Sequence, residues 1–407
     1  MATKKESREL APLTVTSNTL DTLAHAAKYK DRKKFDEFLI VDIDAHVSEG
    51  MFWDELTDRI DSDVWKYNAK SFKERGPGIL GLSNAAPGLL YQGVNGRIPH
   101  QERLGEAVED KGRHKQVTLA RRAMDAMGID YMTVFPTPML TMGVHPQPEV
   151  EVMLGQAYNR WLTEKVLPED EGLLGFLYLP FNDPASCPKM VEEFGERKGV
   201  MGFSVTSTRY RPVHHNSYMR LYAMLEERGL PLIFHAGFNW EDGSMAQLNR
   251  FMTMHALSFV HCNLVHMCNW VINGLPERFP KLKVLWIESG LAWIPYLMQR
   301  LDSEYMMRTS EAPLLKRKPS EYMKEMYYSS QPIELHHPKL VEATFEAINA
   351  ETQLLYASDW PHWDFDTPSA IYNLAFLTEG QKRNILGGNA ARLLNLKDPY
   401  AAKAAAE

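Results

Sequence analysis

Eight short apolar runs alternate with helix-like segments along most of this chain, and this alternation constrains the fold more than any other feature. A short apolar run is typical of a buried strand, whereas apolar residues at three- and four-residue spacing predict a helix. Strands that alternate with helices favour a parallel sheet, and eight of them favour a TIM barrel, the (β/α)8 fold. The predicted strands cover residues 38–43, 131–135, 175–179, 201–205, 232–235, 284–288, 326–329 and 354–357.

Helical patterns fill most of the intervals between these predicted strands. The interval 245–273 is rich in Met and other apolar residues, and it predicts one or two long helices that end at the turn Asn273-Gly274. The other predicted helices cover residues 150–166, 188–197, 218–227, 295–307 and 340–348.

Two segments depart from a regular barrel. Residues 1–33 are polar and mixed in sign, and we expect an N-terminal extension that wraps a neighbouring subunit or is partly disordered. Residues 50–129 form a long insertion after the first strand, of the kind that makes lids or oligomer contacts. The predicted organisation is therefore α/β, a distorted (β/α)8 TIM barrel over residues 34–400 with this extension and this insertion.

Composition excludes several classes of protein. The chain has 407 residues and a net charge of −7, without a basic patch of the kind that binds nucleic acid. No segment offers the run of about 18 apolar residues that a transmembrane helix needs. The three cysteines form neither a disulfide framework nor a zinc-binding spacing, which favours a reducing compartment. We therefore predict a soluble, cytoplasmic protein that binds neither nucleic acid nor membrane.

The first predicted strand leads into the sequence Asp42-Ile43-Asp44-Ala45-His46. Alternate residues of a strand point to the same side, so Asp42, Asp44 and His46 are expected to project together. Buried carboxylates and an imidazole on one face destabilise each other unless a positive charge lies between them. A divalent metal ion is the simplest such charge. A solvated loop, or a pairing of Asp44 with His46, would also explain the pattern.

Three further apolar runs end in residues that can bind metals or move protons: His235, Glu288 and Asp359. In a TIM barrel the carboxyl ends of the strands meet at one face, where the active site lies. We therefore expect these three residues to share a site with the acids and histidine of the first strand. A structural role stays open for each of them, as a core histidine, a turn acid or a residue that hydrogen-bonds a ligand.

The motifs resemble those of the amidohydrolase superfamily, in particular the amidohydrolase-related branch that contains aminocarboxymuconate-semialdehyde decarboxylase and the hydroxybenzoate-type decarboxylases. The resemblance covers roughly residues 38–396 and rests on the order and spacing of four motifs. It implies a distorted TIM barrel with one or two divalent metal ions at its mouth. The motifs are Asp42-Ile43-Asp44-Ala45-His46, Phe234-His235-Ala236-Gly237, residues 274–284 with Glu288-Ser289-Gly290, and Ser358-Asp359-Trp360-Pro361-His362.

Carried over residue by residue, the resemblance implies that Asp44, His46 and His235 bind the metal. Asp359 matches the strand-eight aspartate, which binds metal or moves the proton of a metal-bound water. Two residues depart from the family's pattern: Asp44, where the family often has histidine, and Glu288, where the decarboxylases usually have histidine. An oxygen-rich site favours manganese or iron over zinc. Glu288 is a candidate ligand of a second metal or a candidate general base.

Further residues complete the candidate set. His261 and His266 lie in the long helical segment, His261 as a candidate catalytic residue and His266 as a candidate metal ligand, although packed or surface roles stay open for both. Glu49 is a candidate for a cap after the first strand or for a hydrogen bond to His46. His362 is expected to be held within its turn.

The resemblance implies a metal-dependent lyase or hydrolase, decarboxylase-like, that acts on a small carboxylated substrate. The metal would bind the substrate carboxylate, and Asp359 or Glu288 would move the proton. Arg209 and Arg211 are candidates to bind the carboxylate group. The carboxylate-rich set leaves open a dinuclear iron or manganese oxygenase on the same barrel. A third possibility is a non-catalytic partner subunit of an active, related barrel.

The insertion after the first strand also predicts an oligomer, because it puts much aromatic surface in a predicted loop region, and aromatic residues are enriched at interfaces. We expect a homodimer or a hetero-oligomer with a related barrel. The alternative is that these side chains pack on the barrel mouth as a lid. The aromatic residues are Trp53, Trp65, Tyr67 and Phe72.

Overall fold

Eight parallel strands form a single sheet in which each strand pairs with the next one along the chain, and this confirms the predicted TIM barrel. The computed structural model describes residues 19–75, 112–207, 211–237, 239, 242–362 and 364–401, except for the side chains of 72–75 and 251. Nearly all strand residues are buried, as expected for a parallel sheet covered on both faces. The strands are β1 (Val41–Val47), β2 (Tyr131–Pro136), β3 (Leu173–Tyr178), β4 (Val200–Thr206), β5 (Leu232–His235), β6 (Val284–Ile287), β7 (Tyr327–Ser329) and β8 (Leu354–Leu355).

The sheet closes into a barrel where β1 meets the end of β8. The backbone N–H of Ile43 donates to the carbonyl of Tyr356 at 2.9 Å, and the N–H of His46 donates to the carbonyl of Trp360 at 2.6 Å. The N–H of Asp359 donates in return to the carbonyl of Asp44 at 2.7 Å. These bonds hold the two ends of the barrel side by side and bring Asp44 next to Asp359.

A bulge changes the direction of the side chains within β1. The register against β2 shifts between Asp42 and Ala45, and such a shift inserts an extra residue into one strand. Ile43 packs in the apolar cluster inside the barrel, whereas Ala45 packs in the cluster outside the sheet. The inward-facing positions therefore change from odd to even numbers, and Asp44 and His46 point into the barrel.

Helices surround the sheet, and none of those in the described part of the chain is long and apolar enough to cross a membrane. Shorter 3-10 and π turns connect several of them. Those described are α1 (Thr19–Lys33), α2 (Trp53–Thr57), α3 (Asp63–Arg75), α4 (Lys115–Met127), α5 (Pro148–Trp161), α6 (Cys187–Phe194), α7 (Met219–Arg228), α8 (Phe251–Ile272), α9 (Leu275–Arg278), α10 (Trp293–Met307), α11 (Pro319–Met323), α12 (Pro338–Ala347), α13 (Ala350–Gln353), α14 (Ser369–Tyr372), α15 (Glu379–Arg383) and α16 (Asn389–Leu394).

The predicted first strand, 38–43, is wrong in both bounds, because the observed strand is Val41–Val47. The apolar run in the sequence stops where the buried polar residues begin, and apolarity alone cannot locate the end of such a strand. The predicted helices 150–166 and 245–273 are both present and end within one residue of the predicted bounds. The first continues from α5 into a π turn over Leu162–Val166, and the second is the single helix α8.

The barrel interior is apolar at one end and polar at the other. Leu39 and Val41 pack with Ala390 of α16 at the apolar end, together with inward side chains of β5, β6 and β8. Inward residues farther along the strands, such as His46 and His235, are polar and buried. Side chains therefore fill the apolar end of the barrel, and the carboxyl ends of the strands are the place for a site.

The described part of the N-terminal extension packs on its own barrel. Leu23, Ala26 and Tyr29 of α1 are buried, and α1 lies against α4. Gly128, which ends α4 with a φ of 76°, permits this approach, because a Cβ there would lie 3.0 Å from the side chain of Lys30. Residues 19–33 therefore pack on the chain's own barrel, and residues 1–18 lie outside the described residues. A contact of the extension with a neighbouring subunit stays a prediction.

The insertion after β1 also packs inward where it is described. Trp53 is 2% exposed and donates from its indole N–H to the carbonyl of Ala69 at 3.0 Å. Trp65 packs against the main core, whereas Tyr67 is exposed. The side chain of Phe72 and residues 76–111 lie outside the described residues. Trp53 is therefore a core residue, Trp65 is half-buried, and the predicted oligomer contact of this insertion stays a prediction.

Candidate metal centre

Five polar side chains from four strand ends converge at the mouth of the barrel. Asp44 Oδ1 lies 3.5 Å from His46 Nε2 and 3.3 Å from His235 Nε2. Asp359 Oδ1 lies 3.1 Å from His46 Nε2, and Glu288 Oε2 lies 3.6 Å from His235 Nδ1. The ligand atoms of Asp44, His46, His235 and Glu288 all lie within 4.8 Å of one another. We refer to these five residues as the centre.

Backbone carbonyls fix the tautomers of both central histidines. His46 Nδ1 lies 2.9 Å from the carbonyl oxygen of Pro136, and His235 Nδ1 lies 2.8 Å from that of Ala236. A carbonyl oxygen only accepts hydrogen bonds, so each Nδ1 carries the proton and donates it. Both Nε2 atoms then keep a lone pair that faces the centre. This orientation is the usual one for histidines that bind a metal through Nε2.

The buried ligand atoms of the centre lack hydrogen-bond partners in the protein. They are both carboxylate oxygens of Asp44, Glu288 Oε2, Asp359 Oδ1, and the Nε2 atoms of His46 and His235. Unpaired buried polar atoms are rare, because each costs about 1–3 kcal/mol. Oxygen and imidazole nitrogen atoms that face one another with no donor between them fit a divalent cation. The residues present therefore suit the metal that the sequence predicts.

Burial sets the protonation of these groups. It raises the pKa of the Glu288 carboxyl well above its ordinary value, and the nearby Asp44 carboxylate raises it further. The pKa of Asp359 is raised well above its ordinary value by burial and then by Glu288. Burial lowers the pKa of His46 well below its ordinary value, and the neighbouring His362 adds to this effect. Burial in the protein alone thus favours the uncharged forms of Glu288, Asp359 and His46. A bound cation would favour the ionised form of the carboxyl groups instead.

Two acids of the centre have a strained backbone. Glu288 follows β6 with a φ of 57°, and Asp359 follows β8 with a φ of 63°. This left-handed conformation is uncommon outside glycine and costs about 1–3 kcal/mol. Ser329 Oγ accepts the N–H of Glu288 at 2.9 Å, and the carbonyl of Asp44 accepts that of Asp359. Hydrogen bonds from neighbouring strands therefore hold both acids in place.

Asp42 does not share a face with Asp44 and His46, so that prediction is wrong. Its carboxylate accepts hydrogen bonds from the backbone N–H of Ser358 at 2.8 Å, from the Ser358 hydroxyl, and from the N–H of Asp44 at 3.2 Å. Burial raises the pKa of Asp42 to about 8. The bulge in β1 is the physical reason, because it turns the even-numbered residues inward only after Asp42.

Sequence reasoning gave too little weight to His362. Its Nδ1 lies 2.6 Å from Asp359 Oδ1, and its ring centroid lies 4.1 Å from that of His46. With those two residues it forms a second group of potential ligands. The sequence indicated this contact through the position of His362, which lies three residues after Asp359 and directly after Pro361 in the turn.

Glu49 has a different role from the one expected. Its carboxylate accepts the backbone N–H groups of Thr137 at 2.9 Å and Met139 at 2.8 Å, and it makes no hydrogen bond to His46. Thr137 Oγ1 in turn lies 3.4 Å from His362 Nε2. Burial raises the pKa of Glu49 to about 7. Glu49 therefore fixes the loop after β2 that borders the centre.

Neither helical histidine reaches the centre. His261 Nε2 lies 3.2 Å from Ser244 Oγ near the surface, so its predicted catalytic role has no geometric support. His266 Nε2 lies 2.6 Å from the backbone carbonyl of Ser207 and must donate to it. That contact holds His266 against the end of β4, outside both groups of potential ligands in the described residues.

One of the two arginines predicted to bind the carboxylate group, Arg211, lies within the described residues. Arg211 has its guanidinium 3.4 Å from Ser217 Oγ, on the 3-10 turn before α7. Arg209 lies outside the described residues.

The fold and the centre define a TIM-barrel protein with a candidate metal site at the carboxyl ends of its strands. The family model described as Amidohydrolase matches residues 41–396, so the chain belongs to this family. The predicted superfamily is thereby confirmed.

Curated relatives of the chain are decarboxylases. The gamma-resorcylate decarboxylase of Polaromonas sp. strain JS666 is 24% identical over 285 residues, which is 68% of this chain and 86% of the relative. The 2-amino-3-carboxymuconate-6-semialdehyde decarboxylase of Dictyostelium discoideum is 20% identical and covers 67% and 74%. These activities agree with the predicted lyase and give no support to the oxygenase alternative.

Solved structures share the fold. The 5-carboxyvanillate decarboxylase of Sphingomonas paucimobilis has a TM-score of 0.61 at 20% identity, over 88% of this chain and 99% of that one. A dihydroxybenzoic acid decarboxylase of Polaromonas sp. strain JS666, with bound manganese and the inhibitor 2-nitroresorcinol, has a TM-score of 0.62 at 17% identity, over 88% and 97%.

Proposed function

We propose that this chain is a metal-dependent decarboxylase that acts on a small carboxylated, aromatic or unsaturated substrate. One observation carries the proposal: five buried ligand atoms of Asp44, His46, His235 and Glu288 at the barrel mouth have no hydrogen-bond partner in the protein. They lie where TIM barrels place their chemistry, in a family whose curated relatives are decarboxylases.

We assign the metal ligands to Asp44, His46, His235 and Glu288, whose ligand atoms lie close together. Two carboxylates and two imidazoles suit manganese or iron, and a related decarboxylase structure contains manganese. His46 belongs to both potential ligand groups, but only its Nε2 is available to bind. We therefore propose one ion per chain, with manganese as that ion.

The charge of the centre bears on substrate binding. The three carboxyl groups of Asp44, Glu288 and Asp359 would give a net negative charge around one divalent ion if all were ionised. Asp359 lies outside the proposed four-residue ligand set, so we place a proton there. The loaded centre is then neutral, and an anionic substrate meets no net repulsion. When bound, the metal would supply a Lewis acid for the substrate carboxylate.

Decarboxylation requires a proton at the carbon that loses carbon dioxide. Asp359 is the proposed donor, because it borders the ligand set and its left-handed backbone fixes its carboxyl group at the mouth. His362 Nδ1, at 2.6 Å, is placed to return a proton to Asp359 after each turnover. Proton transfer by a positioned side chain contributes about 10²–10⁴-fold to a rate.

Two substitutions separate the proposed roles. Glu288→Gln is expected to lower manganese affinity by more than about 100-fold, since even outer partners of metal ligands contribute about 10–100-fold. Asp359→Asn is expected to keep the manganese content while lowering turnover by about 100-fold or more. Metal analysis after dialysis, with turnover measured at saturating manganese, checks both. Loss of metal in Asp359→Asn would instead make Asp359 a ligand, and unchanged activity and metal content in Glu288→Gln would make Glu288 structural.

The activity itself is tested by carbon dioxide release from a panel of carboxylated compounds. The panel includes 2,6-dihydroxybenzoate, which is bound in one related structure, and 5-carboxyvanillate, the compound for which another related decarboxylase is named. We expect release that stops with a chelator and returns with manganese. An absence of release from every compound, in protein that retains one manganese per chain, would contradict the proposed reaction.

A further inference from the structure

A glutamine that follows β7 carries a buried amide oxygen with no hydrogen-bond partner. Gln331 is 1% exposed, and its Oε1 atom is unpaired among the described residues. Buried side-chain oxygens nearly always accept a hydrogen bond, because an unpaired one loses its contacts with water and gains nothing in return. A glutamine that only supported the fold would therefore be expected to pair within the chain. The Gln331 oxygen is instead left for a group from outside the chain.

Gln331 lies beside the centre. β7 pairs with β6 on one side and with β8 on the other, and Glu288 and Asp359 follow those two strands. Ser329 Oγ accepts the N–H of Glu288 at 2.9 Å and donates to the carbonyl oxygen of Gln331 at 3.2 Å. One hydroxyl group thus holds the backbone of a proposed metal ligand and the backbone of Gln331. Gln331 is therefore placed between the two acids at the mouth of the barrel.

The strand pattern places the Gln331 side chain on the interior side of the sheet. Tyr327 packs in the apolar cluster inside the barrel, whereas Tyr328 packs in the cluster outside the sheet. Alternate residues of a strand face the same side, so the odd-numbered positions of β7 face inward. The N–H of Ser330 donates to the carbonyl of Leu355 at 2.9 Å, so the chain still pairs with β8 where it reaches Gln331. The same alternation thus continues to Gln331, at the end of the strand where the centre lies.

The proposed metal ligands leave the Gln331 oxygen unused. They are carboxylates and imidazoles, and the proposed set of four is complete without Gln331. An amide oxygen is an uncharged acceptor, so it pairs with an O–H or N–H group. We propose that Gln331 accepts a hydrogen bond from a hydroxyl or amino substituent of the substrate, and that it selects substrates with such a group. This role rests on the proposed function, because the substrate carboxylate would then bind the metal beside Gln331.

A hydrogen bond at this position would make the site selective. A site that is built to hydrogen-bond a substrate O–H or N–H rejects an analogue without that group, because the buried polar atom of the protein then stays unpaired. The burial of Gln331 strengthens the effect, since a hydrogen bond in the low-dielectric interior is stronger than one in water. Gln331 is thus a specificity-determining residue, and it transfers no proton in the reaction.

Three ligands that differ at one ring position test the proposal, by calorimetry of the full-length chain in excess manganese. The probes are 2-nitroresorcinol, the inhibitor in the manganese-containing relative, 3-amino-2-nitrophenol and 3-fluoro-2-nitrophenol. Fluorine cannot donate, so the fluoro compound is expected to bind about 10- to 100-fold more weakly than the hydroxyl or the amino compound. The tighter of those two identifies the substituent. Gln331→Met should remove this preference and leave the affinity for the fluoro compound and the manganese content unchanged.

Gln353 gives a matched control for the same substitution. It directly precedes β8, at the opposite end of that strand from Asp359, and its Nε2 donates to the carbonyl of Met326 at 3.1 Å. Gln353→Met is expected to keep the preference for the donor compound, because the lost hydrogen bond lies away from the mouth of the barrel.

Equal affinity of the wild-type chain for the three compounds, or no binding of any of them, would overturn the proposal, and this comparison needs no variant. A Gln331→Met protein that keeps the preference would overturn it as well. So would loss of manganese from that protein, because the amide oxygen would then be a metal ligand. Carbon dioxide release judges the proposed reaction separately. A preference that depends on Gln331, in a chain that releases no carbon dioxide, would support the role of Gln331 in ligand selection and reject decarboxylation.

Discussion

Two carboxylates on one strand, Asp42 and Asp44, are equally buried and have opposite surroundings. Asp42 accepts three hydrogen bonds, from the N–H and hydroxyl of Ser358 and from the N–H of Asp44. Asp44 accepts none on either oxygen. Both residues are 0% exposed. The two carboxylates therefore differ in the hydrogen-bond donors that contact them, and they do not differ in burial.

The same contrast divides six buried acids of the described residues into two groups. Asp42, Glu49 and Glu151 are clamps, whose carboxylates are held by hydrogen-bond donors of the protein. Asp44, Glu288 and Asp359 belong to the centre and keep unpartnered oxygens. A satisfied buried acid stabilises the fold, whereas an unsatisfied one is costly until a cation binds. Hydrogen-bond partners thus distinguish Asp42 from Asp44, where residue type and burial cannot.

The largest expected effect comes from exchanging one carboxylate for an amide in each group. Asp44→Asn is expected to lower manganese affinity by more than about 100-fold, beyond the range of outer-shell partners. It should leave the stability of the metal-free protein equal or higher, because it removes a buried carboxylate that lacks donors. Asp42→Asn should do the reverse, keeping metal and losing about 1–3 kcal/mol of stability as a hydrogen bond to Ser358 is lost.

Metal analysis and urea denaturation of chelated samples measure both quantities in both variants. The two proteins are controls for each other, since the substitution is chemically identical and two residues apart. If Asp42→Asn loses metal as completely as Asp44→Asn does, the distinction between clamps and centre fails.

A smaller effect is expected from the clamp next to the centre. Glu49→Gln keeps one acceptor but places an amide N–H against the N–H of Thr137 or Met139. The loop should shift away from His362 and lower turnover by about tenfold, the lower end for an outer partner of a metal site. Steady-state kinetics should show the loss in kcat, with manganese content unchanged. A fall in metal content of the size seen for Asp44→Asn would place Glu49 in the centre.

The smallest effect concerns pH. Burial raises the pKa of Glu151 to about 8, although Tyr178 Oη donates to its carboxylate at 2.9 Å. The folded state therefore holds this proton where the unfolded state has lost it, between about pH 4.5 and 8. The stabilisation is fully present below the unfolded pKa and is lost as pH rises towards 8.

Glu151→Gln should make the decline of stability between pH 5 and pH 8 shallower, because an amide has no proton to lose in this range. Denaturation curves at several pH values, with and without manganese, measure the slope. A clamp distant from the metal should change the slope equally in both conditions. A change confined to the manganese-loaded protein would assign Glu151 to the centre.

Local patterns in the sequence were enough to predict the barrel. Apolar runs and helical spacing report burial of each segment, and eight such pairs admit few arrangements other than a closed parallel sheet. Because parallel strands end at one face, the sequence also brought Asp44, His46, His235, Glu288 and Asp359 to one place, as the structure does.

Tertiary structure decided which polar residues face that place. A bulge in β1 changes inward positions from odd to even numbers, so Asp42 is a clamp although it shares the spacing of Asp44 and His46. A register shift depends on pairing with β2 and β8, which are about 90 and 315 residues away in the chain, and no local pattern encodes it.

The side chains of α8 show the same limit. Periodicity predicted a helix there, but rotation about its axis was fixed by hydrogen bonds from Asn263 and Ser258 to the ends of β6 and β5. In the observed orientation His266 contacts the carbonyl of Ser207 and His261 contacts Ser244, and neither belongs to the groups of potential ligands in the described residues. The sequence by itself determined the elements and their order, because these follow from local burial. Only the tertiary structure determined the partners of each polar atom, because those partners come from distant strands.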